Sequence, residues 1–121
     1  MKAKTLGYSG ETLAAQFLKN KGYEILQNNF TIRGGEIDLI ALHGTILIFV
    51  EVKTRTNESF GRGEESMNYF KRTRIHRAIE RYLDRHGDRE DTDYRVDLIE
   101  VELDPTTKAL KNINHFEDIE L

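Results

Sequence analysis

Leu6, Leu13, Ala14, Phe17 and Leu18 fall on one side of a 3.6-residue wheel, and Gly22 follows, so the spacing predicts a helix over 6–21. The period then changes. "YEILQNNF" over 23–30 reads as a modest strand and Arg33-Gly34-Gly35 as a turn. "EIDLIAL" and "TILIFVEVK" are rich in β-branched residues and are joined by His43-Gly44, a two-residue hairpin turn in which glycine supplies positive φ. These three strands form a predicted antiparallel meander. The stretch over 54–65 is polar and glycine-punctuated, as an exposed loop would be. Met67, Ile75, Ala78, Ile79, Tyr82 and Leu83 then recur at helical spacing and predict a second helix over 64–86, stopped by Gly87. "YRVDLIEVELDP" predicts a fourth strand ended by Asp104-Pro105, and the closing "INHFEDIEL" is either a short edge strand or a loose tail. The order is αβββαβ, of α/β class, in one domain over 1–121 without repeats or low-complexity segments.

Charge interrupts this pattern in one place. Glu36, Asp38, Glu51 and Lys53 lie inside the two most apolar strands. Side chains alternate across a strand, so Glu36 and Asp38 share one face, as do Glu51 and Lys53. With His43-Gly44 as the turn, Leu42 pairs with Thr45, Glu36 lies opposite Glu51 and Asp38 sits diagonally from it. An odd loop would throw the two pairs onto opposite faces, so convergence depends on an even one. Facing carboxylates repel and are costly to bury, which implies a cation. Mg²⁺ or Mn²⁺ suits hard oxygen ligands that bridge to phosphate, with Lys53 placed to orient or deprotonate a water or to offset transition-state charge. That is the chemistry of phosphodiester hydrolysis. The alternative is purely structural, with Lys53, Arg33 and Arg55 in salt bridges to these acids. An acid-x-lysine triplet is expected about once by chance in so charged a chain, so the weight of Glu51-Val52-Lys53 comes from its position at the end of a greasy strand. Asp97, Glu100 and Glu102 lack a neighbouring lysine and read as solvated or structural.

Composition narrows the classes. With no cysteine there can be no disulfide, zinc–thiolate site or thiol nucleophile, and a reducing cytoplasm is the expected location. No apolar run suits an export signal or a membrane span. The net charge of −3 argues against indiscriminate nucleic-acid binding, but its distribution is uneven. Lys71, Arg72, Arg74, Arg77, Arg81 and Arg85 stand against only Glu80 and Asp84 on the second helix. Such a stripe either tracks a phosphate backbone or is an ordinary solvated helix face, and the carboxylate cluster nearby favours the first. Glu11 borders the inward stripe of the first helix, where it either reaches a metal site or sits at the solvent edge. Lys71 lies on the apolar stripe, as a phosphate contact or as a snorkelling lysine.

"GETLAAQFLKNKGYEILQNNF", "GGEIDLIALHG", "ILIFVEVKTR" and "KRTRIHRAIERYL…YRVDLIEVE" occur in an order and spacing that resemble the bacterial YraN family, over nearly the whole chain. That family is similar to Holliday-junction resolvases. The resemblance implies a restriction-endonuclease-like αβββαβ core, with a mixed central sheet flanked by helices, and the PD-(D/E)xK nuclease pattern. It makes Asp38 the motif aspartate, Glu51 the second acid, Lys53 the lysine and Glu11 the helix-one glutamate that resolvases add to the metal site. The Val52 carbonyl and Glu36 complete the expected ligand set, and Arg55, Lys71, Arg74, Arg77 and Arg81 the phosphate contacts. Ile37 stands where the motif has proline, and "FGRGEES" has glycine where relatives often show proline; neither touches the proposed ligands. The expected activity is metal-dependent endonucleolytic cleavage, with DNA ahead of RNA and branched DNA included. The rival expectation is a noncatalytic nucleic-acid-binding or scaffold protein on the same fold. A homodimer is compatible with either, and no membrane is involved.

Overall fold

The computed structural model describes residues 6–56, 68–86 and 92–121, with side chains from Gly10 onward in the first segment. Chain order gives α1 (Leu6–Asn20), β1 (Glu24–Ile32), β2 (Gly35–His43), β3 (Ile46–Arg55), α2 (Tyr69–His86), β4 (Tyr94–Leu103) and β5 (Leu110–Phe116). The strands form one sheet in the spatial order β1-β2-β3-β4-β5. Neighbours are antiparallel except β3 and β4, whose parallel pairing needs the crossover that α2 provides. The expected αβββαβ core and mixed sheet are therefore present. The C-terminal segment resolves as an edge strand that starts at Leu110, three residues before the stretch in which one was expected. Met67, the predicted first turn of α2 at Glu64 and the predicted stop at Gly87 lie outside the described residues. No helix among the described residues is long and apolar enough to cross a membrane.

Two apolar layers cover the sheet. Ala14 and Leu18 of α1 pack on Leu39, Ala41, Ile48 and Ile99, while Ile75, Ile79 and Tyr82 of α2 pack on Phe30, Ile40 and Phe49. Burying each large side chain contributes roughly 1.5–3 kcal/mol, so the two stripes fix both helices against opposite faces. Close approach at glycine sets how near the helices come. A Cβ on Gly10 would stand 1.8 Å from Thr54 Oγ1, and one on Gly35 would stand 2.4 Å from the Arg74 carbonyl oxygen.

The β2–β3 turn differs from the expected one. The pairs are His43 with Ile46 and Leu42 with Leu47, so the two-residue loop is Gly44-Thr45, with Gly44 at φ 65°. Both candidate turns keep the loop even, and the faces are preserved. The register moves by two residues, however, which sets Asp38 rather than Glu36 level with Glu51.

The acids of β4 are not solvated. Asp97 and Glu100 are fully buried, and only Glu102 is partly open, 3.5 Å from Lys111. Asp97 accepts hydrogen bonds from Arg95 Nε at 2.9 Å and from the Asp118 N–H at 2.9 Å, and its Oδ2 lies 2.8 Å from His115 Nε2. Arg95 also donates to the Tyr23 hydroxyl, so one carboxylate ties β4 to β5, to the C-terminal segment and to the start of β1. Burial pushes Asp97 up, but His115, Arg95 and the Asp118 N–H together outweigh it and hold the carboxyl below its ordinary value.

A depressed acid stabilises the fold above its unfolded pKa, near 3.8, and that contribution is lost as pH falls through the folded value. Asp97→Asn should cost about 3 kcal/mol at neutral pH, because it removes the buried carboxylate that holds partly buried Arg95 and leaves that guanidinium the more distant Glu117, 3.6 Å away, as its carboxylate partner. It should also flatten the acid limb of stability below about pH 4. Urea midpoints measured from pH 2 to 7 check both, and an acid limb unchanged in the variant would remove Asp97 from this role.

Candidate functional site

The β2–β3 ladder runs from His43–Ile46 only as far as Leu39–Val50. Beyond it the next pair would be Asp38 and Glu51. Instead the Asp38 carboxylate accepts the Val52 N–H through Oδ2 at 2.8 Å, standing in for a strand bond. The pleat slips at the same place: Ile37 and Ile40 join the α2 layer while Leu39 and Ala41 join the α1 layer, which strict alternation forbids. Asp38 is thereby turned into the gap between two parting strands.

Three elements bring partners to it. Glu51 of β3, 3% exposed, feels the charge of Asp38 and is ion-paired to Lys71 Nζ from the first turn of α2. Glu11 of α1 lies beside Asp38, whose charge it feels, and beside Asn29 of β1. Lys53 contacts Lys71 and feels the charge of Glu51. Glu36 sits at the rim, 3.8 Å from Arg74. Glu36, Glu51, Lys71, Arg74 and Ile75 line a cleft of about 170 Å³.

The electrostatics follow from this crowding. Burial and then the charge of Asp38 push Glu51 up to about 8, even though Lys71 pulls it down. Burial and Asp38 likewise push Glu11 up to about 7. Burial and the neighbouring Lys71 lower Lys53. Lys71 itself is raised, because its hydrogen bond and charge contact with Glu51 outweigh its burial. The Glu51–Lys71 pair is thus one-sided: it holds Lys71 charged without fully settling the carboxylate. A hard divalent cation would relieve the same repulsion, and carboxylate and carbonyl oxygens are its donors. Among the described residues no three or more His, Asp or Glu side chains stand ready as a metal cage. The fit to Mg²⁺ or Mn²⁺ is therefore one of donor chemistry and charge, for an ion that keeps part of its water shell. At Val52 the contact formed within the chain is through its N–H.

The basic residues are distributed less simply than the helical wheel suggests. Arg74, Arg77 and Arg81 are exposed on α2, and Arg77 Nη1 reaches the Gly34 carbonyl at 3.4 Å. The stripe thus borders the β1–β2 turn. Arg55 does not extend from the loop but lies 3.9 Å from buried Glu100, which is paired in register with Lys53. Sequence reasoning missed Glu100 as a neighbour of the site, because its strand carries no lysine. It also missed Asn29, whose φ of 54° marks a left-handed conformation that asparagine tolerates, and whose side chain lies near Glu11 and lowers its pKa.

Residues 10–101 match the model of the uncharacterised protein family UPF0102. The chain belongs to this family. A UPF0102 protein of Alkaliphilus oremlandii is 46% identical over 117 residues, covering 95% of this chain and 97% of the relative. One from Caldanaerobacter subterraneus subsp. tengcongensis is 43% identical over 112 residues, covering 93% and 91%. A UPF0102 protein of Caldicellulosiruptor bescii is 41% identical over 118 residues, covering 98% of each chain. UPF0102 is the group expected from the YraN resemblance, and the match begins at Gly10, beside Glu11, and ends within β4 at Val101.

Gly35 controls the seating of α2 over this site. A methyl there would stand 2.4 Å from the Arg74 carbonyl and 3.1 Å from the Ala78 nitrogen, both backbone atoms that cannot swing aside. Gly35→Ala should lower stability by about 1–3 kcal/mol and lift Lys71 off Glu51. Thermal unfolding together with ¹⁵N chemical shifts of α2 checks this; a variant with native stability and unshifted α2 resonances would show that the contact is slack.

Proposed function

We propose that this UPF0102 chain is a metal-dependent endonuclease of the PD-(D/E)xK kind that hydrolyses phosphodiester bonds in DNA, branched DNA included. The observation that carries this reading is the convergence of Glu11, Asp38 and Glu51, with Lys53 and Lys71, at the point where β2 and β3 separate. Structural ion pairing alone gives no reason to gather three mutually repelling carboxylates around one gap.

In this reading Asp38 and Glu51, with Glu11 and the Val52 carbonyl, hold Mg²⁺ or Mn²⁺, and Glu36 is an outer donor. The metal supplies Lewis-acid polarisation of the phosphate and a more acidic water. The chain's own groups do the rest. Lys53, held below its ordinary pKa beside Glu51, orients the attacking water or offsets charge on the phosphate oxygens. Lys71 releases Glu51 and turns to a phosphate oxygen, while Arg74, Arg77 and Arg81 hold the flanking backbone; Arg55 contributes if it leaves Glu100.

A second reading, noncatalytic DNA binding on the same fold, is favoured by the Lys71–Glu51 and Arg74–Glu36 pairs, which already give two of the acids cationic partners. Cleavage decides between them. Linear, flapped and four-way-junction DNA should be cut with Mg²⁺ or Mn²⁺, and Lys53→Ala prepared in parallel should lose at least about 100-fold. Equal traces of cutting in both preparations, or binding without cutting, would remove the nuclease and leave the scaffold.

The basic stripe makes a separate prediction. Arg77→Ala with Arg81→Ala should weaken DNA binding across sequences and reduce the slope of log affinity against log salt by about two. Fluorescence anisotropy over a salt series checks it, and an unchanged slope would take these arginines out of the interface.

A further inference from the structure

Tyr69 and Phe70 open α2 and are the most exposed large apolar side chains among the described residues, at 67% and 74%. Their rings meet edge to face, 5.7 Å apart at 77°, so each braces the other and keeps a face open. The turn that carries them is closed. Asn68 Oδ1 accepts the Lys71 N–H at 2.9 Å, the Arg72 N–H bonds the Asn68 carbonyl at 2.9 Å, and Thr73 Oγ1 donates to the Tyr69 carbonyl at 2.9 Å. Two exposed rings thus sit on a closed helical turn immediately before Lys71, whose ammonium sits on Glu51 in the candidate site. The same helix then carries the exposed Arg74, Arg77 and Arg81.

We infer that Tyr69 and Phe70 are a stacking platform for unpaired nucleobases, so that the ligand is nucleic acid with single-stranded or unstacked bases beside the scissile backbone. This deepens the nuclease reading and rests on its nucleic-acid part. Charge complementarity selects the ligand: an apolar pair followed by a row of cations matches a base with its phosphates, in which every base offers a π-face and every linkage an anion. Within an intact duplex the bases are already stacked on one another, and the rings would meet only sugar and phosphate. Arginines on the next turns hold the backbone, and the rings hold what the backbone carries.

The test compares wild type with Tyr69→Leu/Phe70→Leu, which keeps apolar bulk and helix propensity but removes both π-faces. The probes are a duplex with a single-stranded tail, bearing 2-aminopurine in the tail, and the same duplex with blunt ends. Wild type should prefer the tailed DNA and quench the 2-aminopurine. The variant should lose roughly tenfold in affinity per ring on tailed DNA only, together with the quenching. Phe70→Trp should retain both. Equal losses on both probes, or unchanged quenching in the variant, would overturn the platform while leaving DNA binding intact. If wild type binds neither probe at low salt, the nucleic-acid reading falls and the platform with it. Far-ultraviolet circular dichroism of the variant confirms that α2 is kept.

Discussion

The hydrogen bond from the Val52 N–H to Asp38 is where sheet geometry and site chemistry meet. Two antiparallel strands that continued their ladder would place Asp38 and Glu51 side by side as a cross-strand pair of like charges, an arrangement sheets disfavour. Here the strands part, a carboxylate takes the place of the partner carbonyl, and the backbone donor is satisfied without a regular pair. That substitution turns Asp38 inward, buries Glu51 beside it and leaves room for Glu11 to reach the same carboxyl from the opposite helix. Asp38 in that position adds to burial in raising both Glu51 and Glu11, while burial and Lys71 lower Lys53.

The two helices then act unequally on the cluster. α1 approaches through Gly10 and brings an acid, while α2 approaches through Gly35 and brings a lysine. Both glycines lie where a side chain would hold the helix away, so close packing and charge delivery are a single constraint. On the neighbouring strand, paired in register with Val50, Asp97 shows what a buried acid looks like when protein groups satisfy it: two cationic or hydrogen-bonding side chains and a backbone N–H hold its carboxyl below the ordinary range. Glu51, with one lysine against burial and Asp38, is held above it. The contrast separates a structural acid from an unsettled one on the same sheet, and an unsettled acid in a cleft is the usual mark of a site with work to do.

Much of this was legible in the residues, for identifiable reasons. The elements follow from period alone, and the predicted inward residues of α2 that are described, from Ile75 to Leu83, are all buried. The meander and the shared face of Glu51 and Lys53 follow from alternation and an even loop. The register did not, because His43-Gly44 and Gly44-Thr45 both make acceptable two-residue turns and differ by two positions in pairing. The slip at Asp38 was also invisible, since alternation assumes an unbroken ladder. Of the two readings left open for Glu100 the structural one holds, a choice that depends on what the neighbouring strand and helix cover, and Asn29 was missed because a left-handed asparagine leaves no periodic trace.

Lys71 shows how a helix residue can serve both the resting fold and a ligand. Its ammonium gains more from Glu51 than it loses by burial, so it stays charged in the cleft. Glu51 remains raised despite that contact, so in the proposed reading a metal ion at the carboxylates would take the lysine's place beside it. Lys71 stands at the start of α2, next to two exposed rings and ahead of three exposed arginines. An ion pair that is incomplete on its acidic side is thus easier to open than one that satisfies both partners. The Arg95–Asp97 pair, complete on both sides, is the one built to stay closed.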